Sequence, residues 1–342
     1  MPIGRPHARR LAAAFAGLAA CALLPHAAFA FDCAKARSAD EKAICATPEA
    51  RAADDAMTKA FEALRAAAPP AQRASLLAAQ VRWIGQRGQD CYDSKGDKFT
   101  GDRLSACLAE ASNARAKFLQ GAPEAGPGAS TPMAPFFTIV KGGKGRADVD
   151  FEVVRFTAQP SGAERAFNAA VDKLSDDIIQ PEAGDPSADR YAFEAVMRVT
   201  YASPRLVSAT VNAYQDSGGA HPNSYISHIN VDLGAGKELS FADLADAKAQ
   251  KAIDAKCLEE VRAARKEKME GEGGGPDDPF DSDMPKNVAT ATNTLGAWGF
   301  GADKAVVDYS PYSVGSYAEG YYQCALPYAF LKPLAKPTFP LP

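Results

Sequence analysis

The sequence predicts a multidomain chain, a small disulfide-linked all-α domain followed by an α+β domain with helices on an antiparallel sheet. Three observations predict it. Residues 31–120 are rich in Ala, Leu, Arg and Glu and hold four of the seven cysteines, Cys33, Cys45, Cys91 and Cys107; such a composition favours helix, and disulfides suit a unit too small for a large core. Residues 121–135, GAPEAGPGASTPMAP, combine small residues, proline and glycine with almost no apolar anchor, the signature of a linker. From 136 to 342, period-two apolar runs alternate with helical stretches, and mostly local strand order argues for an antiparallel sheet.

The elements follow in chain order. Residues 1–30 read as a signal peptide: Arg5, Arg9 and Arg10, an apolar stretch from Leu11 to Leu24, Pro25, then Ala28-Phe29-Ala30 as a small-x-small cleavage site. Lipidation at Cys21, after Leu18-Ala19-Ala20, is the competing reading; the apolar run continues through Cys21 and a better-formed site follows, so cleavage before Phe31 is preferred. No other segment approaches the ~20 apolar residues of a membrane span.

Helices are predicted over Pro48–Ala67, Ala71–Cys91 and Gly101–Gln120, with Pro69-Pro70 separating the first two. Gln80, Trp83, Ile84, Arg87 and Cys91 fall on one face of the second, where Trp83 would fill the core and Arg87 would meet Asp55 or Asp90. If flexible, the linker would hold its flanking domains within roughly 20 Å. In the second domain strands are expected around Val149–Val153, Tyr191–Tyr201, Leu206–Gln215, Tyr225–Leu233, Leu295–Phe300, Ala305–Tyr309 and Tyr321–Leu326. Helices are expected over Ser161–Ile179 and Ser240–Met269, the latter capped by Ser240 with Asp243 in its first turn, and an acidic loop over Gly271–Lys286.

Six cysteines downstream of a leader point to disulfides formed in an oxidising compartment. The simplest pairing within domains joins Cys33 with Cys45, Cys91 with Cys107, and Cys257 with Cys324, although the first four allow three connectivities and spacing does not choose. Zinc is disfavoured because no C-x-x-C pair occurs and only His221 and His228 follow the leader. The acidic run Glu270, Glu272, Asp277, Asp278, Asp281 and Asp283 lacks the glycine and terminal glutamate of a calcium loop. No metal or cofactor is expected. Residues 31–120 carry 14 basic and 12 acidic side chains and residues 121–342 carry 21 and 30, so the second half is acidic, net −9. Such a surface repels nucleic acid and anionic lipid and steers cationic partners.

The stretch from Tyr214 to Leu244 is the most informative. Val207, Ala209, Val211 and Ala213 alternate with polar neighbours, as do Ile229, Val231 and Leu233, which reads as a half-buried hairpin. Between the strands Gly218 and Gly219 admit positive φ, and Pro222 stiffens the turn and extends His221. An ordered polar loop of this kind suits binding, and the candidate contact residues are Tyr214, Asp216, Ser217, Gly218, Gly219, His221, Asn223 and Tyr225. Downstream, DYSPYSVGSYAEGYY crowds tyrosines between two strands; Tyr312 and Tyr317 are the candidate interface anchors, since tyrosine offers large area with few rotatable bonds. No nucleophile elbow, P-loop, dinucleotide fingerprint or H-E-x-x-H motif occurs, so no catalytic residue is assigned.

Two resemblances bear on function. The series FDC, EKAIC, QVRWIGQRGQDC and CLAEASNARAKFL, over residues 31–119, resembles the lysozyme-inhibitor LprI family. The run GGAHPN, the strand Asn230–Leu233, GKELSFADL and WGFGADKAVVDYSPYSVGSYAEGYYQCALP, within residues 136–335, resemble the C-terminal domain of the RsiV anti-sigma factors. In RsiV that domain is a lysozyme receptor. Together the resemblances imply a non-enzymatic, exported envelope protein, periplasmic or secreted, that binds and inhibits lysozyme or a similar cationic wall-degrading enzyme. The alternative they leave is a structural module that binds peptidoglycan or another glycan. RsiV proteins signal through a cytoplasmic segment and a membrane span, and this chain carries a leader and the helical domain there, so sigma-factor control is not carried over.

Overall fold

The computed structural model describes residues 32–89, 91–93, 96–142, 148–157, 160–178, 192–269 and 279–342. The leader, Cys21, Tyr191 and the acidic residues from Glu270 to Asp278 lie outside them. The architecture is a helical N-terminal part followed by an α+β part whose main sheet is mostly antiparallel.

Four helices build the first part: α1 (Ala39–Ala46), α2 (Pro48–Ala67), α3 (Pro70–Gln86) and α4 (Gly101–Leu119). Their starts are set locally. Ser38 and Glu41 form a capping box on α1, Thr47 accepts from the Ala50 N–H at the head of α2, and Pro48 and Pro70 sit in first turns where no N–H is required. Disulfides join Cys33 to Cys45 and Cys91 to Cys107, with Cα separations of 5.7 and 5.9 Å, and each closes a short loop worth about 3 kcal/mol of unfolded-state entropy. The expected helix face through Cys91 is cut short. Helix α3 ends at Gln86, Arg87 caps it, Cys91 lies beyond, and Ile84 is 47% exposed. Past that end the chain presses Gly88 against Asp40, where a Cβ would stand 2.5 Å from a carboxylate oxygen. Arg87 pairs with the buried Asp54 at 2.8 Å, not with Asp55.

The main sheet runs in sequence order: β1 (Met133–Val140), β2 (Asp148–Phe156), β3 (Ala192–Ala202), β4 (Leu206–Asp216), β5 (Asn223–Asp232) and β6 (Lys237–Glu238). Only β2 and β3 are parallel, and α5 (Gly162–Ile178) connects them. One face is apolar; Phe151, Met197, Val211 and Ile229 bury it against Phe167 and Val171 of α5. The other carries Glu152, Glu194, Thr210, Asn212, His228 and Asn230, as the period-two alternation requires. This polar face is roofed rather than bare. The helical part lies over β1–β3, and a second sheet lies over β4 and β5.

That second sheet, β7 (Trp298–Phe300), β8 (Lys304–Tyr309) and β9 (Tyr322–Pro327), is antiparallel and packed against α7 (Ala247–Met269) and α8 (Pro279–Thr292). The short α6 (Phe241–Leu244) and α9 (Tyr328–Leu331) complete the set. Cys257 of α7 is bonded to Cys324 of β9. Trp298, Phe300, Val307, Tyr309, Ile253 and Val261 form its core.

Several expectations are corrected here. The single helix over Ser240–Met269 is broken, because the Asp246 carboxylate accepts from the N–H groups of Lys248 and Ala249 and starts α7 afresh. Pro279–Lys286, expected within the acidic loop, opens α8, and Asp281 there pairs with Arg265 at 2.6 Å. Strand β1 was not expected, and it begins inside the proline-rich segment; Pro135 is tolerated because β1 is an edge strand. The segment before it is tied down: Glu124 N–H donates to Val199 O at 2.8 Å and Gly128 N–H to Ala202 O at 3.0 Å. Gly126, at φ +85°, lies so close to the Ala202 carbonyl that no Cβ would fit.

The helical part and the sheet share one core. Phe118 of α4 meets Phe137 of β1 edge-on at 5.7 Å, and Met57, Phe61, Leu76 and Leu119 belong to the same buried cluster as the strand residues. Beside it, Arg115 is 3% exposed and Glu152 fully buried; they pair directly, while Arg82 pairs with both Glu152 and Asp150.

Candidate functional site

The β4–β5 turn and the β8–β9 loop converge. Asp216 accepts from the Gly218 N–H at 3.0 Å and Gly218 takes φ +77°, which closes the turn. His221 Nδ1 lies 3.0 Å from the Pro222 carbonyl, which can only accept, so Nδ1 donates to it, and Nε2 shares a hydrogen bond with the Tyr312 hydroxyl at 3.0 Å. The His221 ring also stacks on Tyr317 at 4.1 Å and 23°. Tyr312 and Tyr317 are 5.7 Å apart. Tyr312 is 52% exposed and holds φ +69°, alone among described non-glycine residues in the left-handed region, an outlier of the kind that clusters at functional sites.

The tyrosine loop is held from behind. The Glu319 carboxylate accepts from Arg265 Nε at 2.7 Å, from the Ser316 N–H at 2.7 Å and from the Tyr322 hydroxyl at 2.7 Å. Burial opposes ionisation of Glu319, yet these donors, Arg265 foremost, outweigh it and hold the carboxyl at about 2. Gly315 packs against that carboxylate, where a Cβ would stand 2.6 Å from an oxygen. Lys268 donates to the carbonyls of Glu319 and Tyr321 at 2.8 and 2.7 Å, and the Ser310 hydroxyl accepts from the Ile226 N–H at 3.2 Å, joining loop to hairpin.

Of the residues singled out in the sequence, His221, Tyr312 and Tyr317 form one exposed cluster, with Asp216, Ser217, Gly218, Gly219 and Asn223 in the turn beside it. Tyr214 stands on the polar sheet face between Glu194 and Ser224; burial, then the Asp216 and Glu194 charges, push its phenol up. Tyr225 stands apart. Its register opposite Ala213 places it on the apolar face, where it packs partly buried against the core. Tyr309 and Tyr322 are likewise core.

His228 belongs to a buried chain joining the two sheets. Its Nδ1 meets the Thr210 hydroxyl at 3.0 Å, its Nε2 meets Asp308 at 2.8 Å, and Gln323 donates to Asp308 at 2.7 Å. The ring is 4% exposed with both nitrogens engaged, and Gly299 lies against it, so its role is to fasten β5 to β8. The single-sequence reading missed Asp308 and Gln323, since only the fold brings them to His228.

Between the helical part, the polar sheet face and the second sheet runs an open cleft of about 1530 Å³, with Gln86, Glu194, Asn212, Tyr214 and Gln323 on its walls and floor. Gln86 donates to Glu194 at 3.4 Å across one end.

Residues 33–119 match the family model of the lysozyme inhibitor LprI; the match takes in the helical part and neither sheet. No curated protein matches the chain. Among solved structures it is similar to a DUF3298 family member from Bacteroides fragilis, with 12% identity, TM-score 0.44, covering 61% of this chain and 94% of that one. It is also similar to a DUF3298 family protein from Pseudomonas aeruginosa, with 17% identity, TM-score 0.36, covering 62% and 97% respectively.

Proposed function

We propose that this chain is an exported cell-envelope protein, periplasmic or secreted once a leader over 1–30 is removed, that captures lysozyme or a similar cationic wall-degrading enzyme and blocks it without chemistry. The observation that carries the reading is the match of residues 33–119 to a family named for lysozyme inhibition. Disulfides in both parts of the chain fit an extracytoplasmic setting. In this reading residues 31–120 form an LprI-like unit, 121–135 the connection, and 136–342 an RsiV-like receptor unit. The acidic charge of residues 121–342 steers the encounter. Tyr312, Tyr317 and His221 then supply the desolvated centre of the contact, with Tyr214, Asp216, Ser217, Gly218, Gly219 and Asn223 around it. A side chain held at positive φ by a braced loop is already in place for binding, which lowers the ordering cost.

The test is protection of cell walls. The disulfide-intact protein, in excess over lysozyme, is expected to suppress lysis of purified walls, with protection weakening as salt screens the steering field. Undiminished lysis at excess protein rules the proposal out.

A further inference from the structure

We propose a second site, an oligosaccharide-binding cleft between the helical part and the two sheets, which borders the His221–Tyr312–Tyr317 cluster at Tyr214 and Asp216 and runs away from it. At about 1530 Å³ the cleft exceeds the roughly 300–1,000 Å³ of small-molecule pockets, so it suits a ligand of several linked units. Its chemistry is that of hydroxyl recognition. Three of the four cations of the lining are neutralised within the protein, Arg87 by Asp54 at 2.8 Å, Arg198 by Glu124 at 2.8 Å, and Arg115 by Glu152, and the fourth is the exposed Lys304. Amides and hydroxyls stand on every side of the open space, Asn212 and Tyr214 on the floor, Gln86 and Gln89 on one wall and Gln323 on the other, with the carboxylates of Glu194, Asp216 and Asp303 among them as further hydroxyl acceptors. An amide donates and accepts side by side, matching vicinal hydroxyls that do both. The half-buried Trp83 lines the cleft beside Gln86, where its aromatic edge can meet the apolar side of a sugar ring, with the Arg87 and Arg115 guanidinium groups 5.9 and 5.6 Å from its ring centre.

A peptide suits the cleft less well. Strands β3 and β4 on its floor are each paired on both sides and offer an incoming chain no free edge, while β5 meets β6 only at Val231 and Asp232.

Trp83 provides the readout. The other tryptophan, Trp298 of β7, is 0% exposed, so ligand-dependent changes in fluorescence report Trp83. The full disulfide-intact chain is titrated with chitotetraose, cellotetraose and, as the rival, a short polylysine. A saturable change with at least one oligosaccharide is expected, weakened about tenfold by Asn212→Ala and by Gln86→Ala, the effect of losing a pair of hydrogen bonds. Circular dichroism of both variants should match the parent, since Asn212 is exposed and Gln86 is a partly exposed residue at a helix end. The proposal is overturned if no oligosaccharide saturates the signal, if polylysine alone does, or if folded Asn212→Ala and Gln86→Ala chains bind sugar as tightly as the parent. Capture of a lytic enzyme is read in a separate assay, so either proposal can fail alone.

Discussion

Tyr312 shows how far single residues can be read. Its cluster of tyrosines, and the turn glycines around it, stand out in the sequence as candidate contact residues, but its bond to His221 does not, because the partners lie 91 residues apart. Replacing Tyr312 by Ala is expected to weaken lysozyme binding by about 2 kcal/mol, roughly thirtyfold in Kd, as hot-spot tyrosines do; calorimetry measures it. Glu319 was not legible as a brace, since its donors Arg265 and Tyr322 reach it only in the fold. Its carboxyl sits at about 2, below the ordinary value near 4.5. The stability it contributes is therefore fully present above pH 4.5 and lost as pH falls toward 2. Denaturant melts at neutral pH and near pH 3 should show Glu319→Gln less stable than the parent at neutrality, with the gap narrowing in acid.

At the scale of elements, strong periodicity was readable and competition between local signals was not. The hairpin of β4 and β5 follows from alternation, and α2 and α4 from composition. Strand β1 escaped because Pro135 and its small neighbours read as linker, while its edge position is a tertiary fact. The helix over Ser240–Met269 hid the rival cap at Asp246. The polar strand face, legible as a face, does not reveal what covers it. The second sheet packs so closely that a Cβ at Gly299 would stand 2.9 Å from His228 Cε1. Gly299→Ala should thus destabilise the fold by about 1–3 kcal/mol, the cost of overpacking a closed interior, seen as a lower denaturation midpoint.

Over the whole molecule, the sequence shows two compositional halves, and the structure shows that they are fused. The pairing of Arg115 and Arg82 with Glu152, and Phe118 against Phe137, lie across the seam, and no spacing rule connects α4 with β2. Glu152→Ala leaves two guanidinium groups without that carboxylate, Arg115 among them fully enclosed, and should cost about 3–5 kcal/mol. Thermal unfolding followed by Trp83 fluorescence would register that loss at the seam itself. The same fusion sets the tyrosine cluster and the helical part on one frame, the stiff surface that the proposed capture of a lytic enzyme calls for. The most direct measurement is titration of the disulfide-intact chain into lysozyme by calorimetry, run in parallel with Tyr312→Ala. Saturable binding by the parent, weakened by the substitution, is the expected result; no heat of binding, or identical binding by a folded Tyr312→Ala chain, contradicts the account.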